Sequence, residues 1–442
     1  MSAIAPSLWH KHKLYEKMKV MEIKSIIARQ ILDSRGTPTV EADVWLENGA
    51  FGRAAVPSGA STGSHEAHEL RDGGARFHGQ SVFKAIENIQ NLILPALKGV
   101  LADDQFKVDQ VMIELDGTPD KSKLGANAIL AVSLACAHAA AKARGVLLYN
   151  HIADIAQPQA KLLPMPMMNV LNGGKHASGS TDIQESMIIP VGAHSFAEAI
   201  QIADEVFMSL KEVLKNNNYP TTVGDEGGFA PSVKNGNAEA FALLTEAIQH
   251  AGYTPGKDVC FAVDVASSEL YADGVYKFAV EGKDFVSDEL VGWYQKLVAD
   301  YPIVSIEDGM AEDDWQAWQK LVTALPNTQL VGDDLLVTNV ERLQKAIDEH
   351  AANAILIKPN QIGSLTETIR AIQLAQANGW NAIVSHRSGE TEDVSIVHIA
   401  IGTGAGQIKT GSLSRSERTA KYNELLRLES IDSSLKLHNP FN

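Results

Sequence analysis

Cysteine is nearly missing from this 442-residue chain: only Cys136 and Cys260 occur, each inside an apolar run, SLACAHAA and DVCFAVDV. Two such residues exclude a disulfide framework and a cysteine-based zinc site, and they fit a reducing cytoplasm. Basic charge is also short, with 38 Lys and Arg against 54 Asp and Glu, a net charge of −16. That excess repels phosphate backbones and anionic lipid, so direct nucleic-acid binding is not expected. No segment reaches the roughly 20 apolar residues that cross a bilayer, so no membrane span is expected. The first twenty residues, MSAIAPSLWHKHKLYEKMKV, lack the apolar core and small-residue cleavage site of a signal peptide; residues 1–20 are expected to be a mobile extension before a β-patterned start at Met21. The remainder is ordinary globular material, 45% hydrophobic and 21% charged, long enough for two or three units.

Residues 22–56 predict a three-strand meander, with IKSIIARQIL, TVEADVWL and AFGRAAV separated by the turn-forming DSRGTP and ENG. Helical periodicity follows over Val82–Leu97 and Gly125–Arg144, the second rich in alanine, which favours helix and permits close packing. These segments make an α+β unit over residues 21–155, and a polar, proline-containing stretch then marks a boundary to a second unit over 156–442.

In that second unit short apolar runs alternate with amphipathic helices, and each run stops at a polar residue: Asp264, Glu307, Asp333, Lys358, His386 and Lys409. Their spacings of 43, 26, 25, 28 and 23 residues describe a βα repeat. A closed (β/α)8 barrel gathers such strand ends at one mouth, whereas an open doubly wound sheet scatters them. MPMMNV and IQESMIIP supply the other strands.

Asp264, Glu307 and Asp333 form an oxygen-only donor set suited to Mg²⁺ or Mn²⁺. Helix capping accounts for one acid, but three in consecutive repeats place like charges together, which a divalent cation tolerates better. Lys358 and Lys409 stand in the same mouth, where burial, metal charge and a second cation are expected to lower a lysine pKa toward the range of a general base. A Schiff-base lysine or a structural ion pair are the competing readings. SHRSGET places His386, Arg387 and Ser388 together as an anion-binding set. VGDEGGFAP presents Asp225 and Glu226, and IQES presents Gln184 and Glu185; two neighbouring carboxylates raise one pKa and yield a proton donor. The Gly- and Ser-rich loop VPSGASTGSHEAHELRDGG, residues 56–74, has the composition of a lid. Three tempting motifs fail: GTGAGQ lacks the last glycine of GxGxxG, NGGKH is not a P-loop, and HEAH is one residue short of HExxH.

With DSRGTPTVE, VPSGASTG, NVLNGGKHA, VGDEGGFAP, SIEDG, VGDDLLVTN, ILIKPNQIG and GQIKTGSLSRSER all in order, the chain from about Met21 onward closely resembles the enolase family. The resemblance implies an α/β fold with an N-terminal α+β capping domain on a modified TIM barrel of ββαα(βα)6 arrangement, assembled as a homodimer or octamer. It implies reversible dehydration of 2-phosphoglycerate to phosphoenolpyruvate with two Mg²⁺ per active site. Asp264, Glu307 and Asp333 would hold the first ion, and Ser61 would help hold the second. Lys358 would be the base and Glu226 the acid; His176, Gln184, Glu185, His386, Arg387, Ser388 and Lys409 would bind substrate. That a lysine base with Mg²⁺ serves this superfamily is a general rule rather than a deduction from these residues. The implied location is cytoplasmic, with a further presence at the cell surface or outside the cell without a signal peptide. A binding role in an RNA-degrading assembly or toward host surface proteins is the alternative to catalysis; the chain ends in HNPFN rather than lysine, which weakens docking through a terminal lysine.

Overall fold

A computed structural model describes residues 21–59, 63–177 and 179–441. The expected extension over residues 1–20 and the proposed ligand Ser61 lie outside the described residues.

The meander forms as expected: β1 (Ile23–Leu32), β2 (Pro38–Leu46) and β3 (Phe51–Ala55) pair antiparallel in the order β1-β2-β3. Alternation in β2 explains its two faces. Val40, Ala42, Val44 and Leu46 are buried, while Glu41 and Asp43 pair with Arg29 and Arg53 on the opposite face. Helical turns follow as α1 (Phe83–Asn88), a π-helical stretch (Ile89–Ile93) and α2 (Leu94–Leu97), then α3 (Gln105–Asp116), α4 (Ala126–Arg144) and α5 (Leu148–Ala156). The alanines of α4 let it lie directly on the sheet. A Cβ added at Gly52 of β3 would stand 2.2 Å from the Ala135 carbonyl oxygen, so any side chain there forces the helix away. In length and apolar composition α4 would pass for a membrane span, contrary to the sequence reading; its candidate window is 83% buried, as in the core helix of a globular domain.

Beyond α5, eight strands close a barrel in the order β4 (Met165–Asn172), β5 (Glu185–Ile189), β6 (Cys260–Asp264), β10 (Ile303–Glu307), β11 (Gln329–Gly332), β12 (Ala354–Ile357), β13 (Asn381–Ser385) and β14 (Gly406–Lys409). The two helices between β5 and β6 are α6 (Phe196–Asn216) and α7 (Ala238–His250), which gives the ββαα start that the resemblance implies. The all-parallel barrel read from the repeat alone needs one correction: β5 runs antiparallel to both β4 and β6. A hairpin sheet, β7 (Tyr271–Ala272), β8 (Val275–Phe278) and β9 (Lys283–Phe285), precedes α8 (Ser287–Asp300) and accounts for the long first spacing between Asp264 and Glu307. The remaining outer helices are α9 (Trp315–Ala324), α10 (Val340–Glu349), α11 (Pro359–Ile362), α12 (Leu365–Ala377), α13 (Ser395–Thr403) and α14 (Ser416–Ile431). Both cysteines are free and buried, as their apolar surroundings predict.

The helix α5 packs on α13, and their histidines are buried there. Burial, reinforced by Arg144, pushes His151 down to about 4; burial, reinforced by His138, pushes His398 down to about 3. Each accepts its proton more readily in the unfolded chain, whose histidine pKa is about 6.5, so stability falls as pH drops from that value toward 4. Denaturant unfolding at pH 5 is expected to give a ΔG lower than at pH 7 by about 2–4 kcal/mol from these two residues. His151→Gln and His398→Gln together should flatten that slope; an unchanged slope contradicts the assignment.

Candidate active site

Because β5 is antiparallel, its first residue lies at the same mouth as the last residues of its parallel neighbours. Glu185 is register partner to Asp264, and Asp264 to Glu307. Lys409 ends β14 opposite Ser385. Around this rim His176, Gln184, Glu185, Glu226, Asp264, Lys358, His386, Arg387, Ser388 and Lys409, with Ser385, line one narrow cavity. Sequence-predicted residues are thus brought together from seven separate segments. Glu307 and Asp333 do not line the cavity but pair with Lys409 and Lys358, which do, and Asp225, whose neighbour Glu226 faces the cavity, contributes its backbone carbonyl to Arg418 at 3.2 Å.

Lys409 Nζ sits among three carboxylates, 2.8 Å from Glu307 Oε1, 3.1 Å from Glu185 Oε2 and 3.4 Å from Asp264 Oδ2. Burial opposes its charge, but Glu185, Glu307 and Asp264 outweigh burial and hold its pKa well above the lysine range. Lys358 donates to Asp333; burial again opposes the charge, and Asp333 raises the pKa above its ordinary value. The lowered lysine pKa values expected from sequence are therefore not found. A strand end desolvates an ammonium, but here Lys358 meets Asp333 on the adjacent strand end and Lys409 meets Glu185, Asp264 and Glu307 across the mouth.

The acids divide by neighbourhood. Burial and then Glu226 hold the Glu185 carboxyl well above the usual range. Burial works the same way on Glu226, but His386, His176 and Arg418 facing it win, and its carboxylate lies well below that range. His176 stands between the two, Nδ1 3.8 Å from Glu185 and Nε2 3.7 Å from Glu226. The two carboxyls are thus pushed in opposite directions, Glu185 up and Glu226 down. His386 Nδ1 accepts from Arg418 Nη1 at 2.7 Å, which leaves Nε2–H pointing to Glu226 Oε1 at 3.3 Å. Burial pushes His386 down to about 4, so the imidazole is neutral at pH 7.

Sequence reasoning missed several groups. Asp308 follows Glu307 with φ 43°, a left-handed conformation that asparagine and aspartate tolerate best among residues with a Cβ. Its carboxylate accepts the backbone N–H groups of Asp333 and Asp334, both at 2.9 Å, and so fixes the following strand end. Burial and then Asp334 hold Asp308 well above the usual range; burial and Asp333 raise Asp334 to about 8. The signal was the unbroken acid pairs in SIEDG and VGDDL. Arg418, inside α14, is fully buried and donates to the carbonyls of Arg387 at 2.6 Å and Ser388 at 2.5 Å. Nothing in its helical sequence context distinguishes it from a surface arginine. Arg418→Met removes all of these bonds and strands buried carbonyls, so a loss of about 3–5 kcal/mol is expected in denaturant unfolding. A loss below 1 kcal/mol would contradict its role as the tie beneath the SHRSGET loop.

A hard divalent cation fits this donor set. The ligating atoms are carboxylate oxygens, no thiol is near, and Glu307 is held well above the usual range by burial and the adjacent Asp264, the mark of acids short of positive charge. One oxygen or nitrogen from each of Asp308, Asp333 and Asp334 falls within a 4.8 Å group, as does one from each of His176, Glu185 and Glu226. Of the expected trio, Asp264 and Glu307 both contact Lys409, and Asp333 contacts Lys358.

Residues 23–152 match the enolase N-terminal domain, and residues 160–438 match the enolase C-terminal TIM barrel domain. The chain belongs to the enolase family. Membership makes this enolase-family protein a lyase-type enzyme, in a family typically dependent on metal, and it agrees with the capping sheet, the closed barrel and the acid-lined mouth.

Proposed function

We propose that this protein catalyses the reversible dehydration of 2-phosphoglycerate to phosphoenolpyruvate in the cytoplasm, as a homo-oligomer and with two Mg²⁺ per site. The observation that carries the reading is the single cavity on which Lys358, the Glu185–Glu226 pair, Arg387 and Lys409 all open. Small anions with both a carboxylate and a phosphate suit its cationic groups, and the paired acids suit a leaving hydroxyl. Asp264, Glu307 and Asp333 would hold one cation and Ser61 would contribute to the second; bound there, Mg²⁺ supplies Lewis acidity and positive charge for the substrate carboxylate and phosphate.

Lys358 Nζ takes the proton from C2, and the electron pair of that C–H bond moves onto the substrate carboxylate. Lys409 stays positive beside it and offsets the new charge. To act as base Lys358 must first lose its proton, which requires Asp333 to be engaged elsewhere. The C2–C3 double bond then forms as the C3–O bond breaks, and the departing hydroxide accepts a proton from the Glu185–Glu226 pair, with Glu226 the donor that the family resemblance implies, leaving as water. Gln184, donating to Asp264 Oδ2 at 3.4 Å, and His386 border the substrate, and Arg387 with Ser388 takes the phosphate end. The test is ultraviolet absorbance of the conjugated product on adding 2-phosphoglycerate with Mg²⁺. A flat trace at every substrate concentration would refute the proposal.

A further inference from the structure

Glu66 of the capping unit reaches Arg387 at the barrel mouth. Glu66 is held on all sides: its Oε2 accepts from Arg387 Nη1 at 2.9 Å, and its Oε1 accepts from Arg387 Nη2 at 3.2 Å, from Gln361 Nε2 at 3.3 Å and from the Gly63 N–H at 3.0 Å. The two-pronged contact, together with Asn360 Oδ1 accepting from Arg387 Nη1 at 3.1 Å, fixes the plane of the guanidinium. Gln361 is buried in α11 and continues the connection. The same Nε2 donates to Asp333 Oδ1 at 2.9 Å, and its Oε1 accepts from Thr338 Oγ1 at 2.9 Å, whose oxygen in turn accepts the Lys358 N–H at 2.9 Å. Glu66 is therefore joined by two short paths to the anion-binding arginine and to the base.

We infer that Glu66 is a positioning residue: it orients Arg387 toward the substrate anion, and its own negative charge weakens the pull of Arg387 on that anion. This rests on the assignment of Arg387 to anion binding. The two effects have opposite signs on removal of the charge. Losing the fork's orientation slows the reaction, while losing the competing carboxylate leaves Arg387 with more attraction for a phosphate. A purely structural residue would weaken both together.

The experiment compares the full-length protein with Glu66→Gln and Glu66→Asp in the presence of Mg²⁺. Inorganic phosphate is titrated calorimetrically, and kcat and KM are measured with 2-phosphoglycerate. Glu66→Gln is expected to bind phosphate at least threefold more tightly and to lose at least tenfold in kcat without a rise in KM. Glu66→Asp, which keeps the charge, is expected to bind phosphate within twofold of the unmodified protein and to lose less in kcat. Phosphate affinity of Glu66→Gln that is unchanged or weaker, or kcat that is retained, overturns the inference. If the unmodified protein fails to turn over 2-phosphoglycerate, the proposed reaction fails, and the phosphate titration alone decides the role of Glu66: tighter binding supports it and any other result overturns it.

Discussion

Lys358→Ala is expected to lower turnover of 2-phosphoglycerate by about 10⁴-fold, the upper range for removal of a positioned general base. Lys358 reaches the mouth from the end of β12 and lies on the wall of the cavity. Lys409 is held among Glu185, Asp264 and Glu307 and cannot take its place. Folding should change little, because the Lys358 side chain belongs to the mouth rather than the core and Asp333 keeps its bond from Gln361. Steady-state kinetics together with a thermal unfolding scan check both halves. Turnover within tenfold of the unmodified protein would remove Lys358 from the role of base.

Chelation by EDTA should lower turnover by about 10³-fold or more, corresponding to about 4 kcal/mol of lost stabilisation for charge developing on the substrate. The physical ground is the excess of acid at the mouth. Glu307, Asp308 and Asp334 all stand above the usual carboxyl range, and the described ammonium groups there, Lys358 and Lys409, are each already committed to acids. A cation that binds only the folded protein must also raise its melting temperature. Adding Mg²⁺ should therefore restore turnover and shift the unfolding transition upward, and Ca²⁺ or Mn²⁺ can be compared on the same two readouts. Full turnover in excess chelator, or a melting temperature indifferent to Mg²⁺, would contradict a metal-dependent site.

Much of the barrel was legible in the chain because its signal is local. A buried parallel strand must be an apolar run, and a βα repeat must return every 25 residues or so, which is why the six terminal residues from Asp264 to Lys409 could be placed before any coordinates. The direction of β5 was not legible in that pattern. An apolar strand reads the same in either direction, and only pairing to β4 and β6 shows that Glu185 begins its strand at the mouth. Arg418 and Gln361 escaped for a different cause. Both sit in helices where an exposed polar residue is the ordinary expectation, and their burial depends on loops more than 20 residues distant in sequence.

The charge state of the mouth divides in the same way. The residue types at the strand ends, and hence the presence of a carboxylate row, two lysines and an anion-binding cluster, were determined by the sequence by itself. Tertiary structure alone decided which charges face one another: Asp333 pairs with Lys358 and raises its pKa, and Glu185 and Glu226 are pushed in opposite directions by burial and by the cations around Glu226. A pKa depends on which charges stand within a few ångströms, and those distances come from strand register and barrel closure, which no single segment encodes.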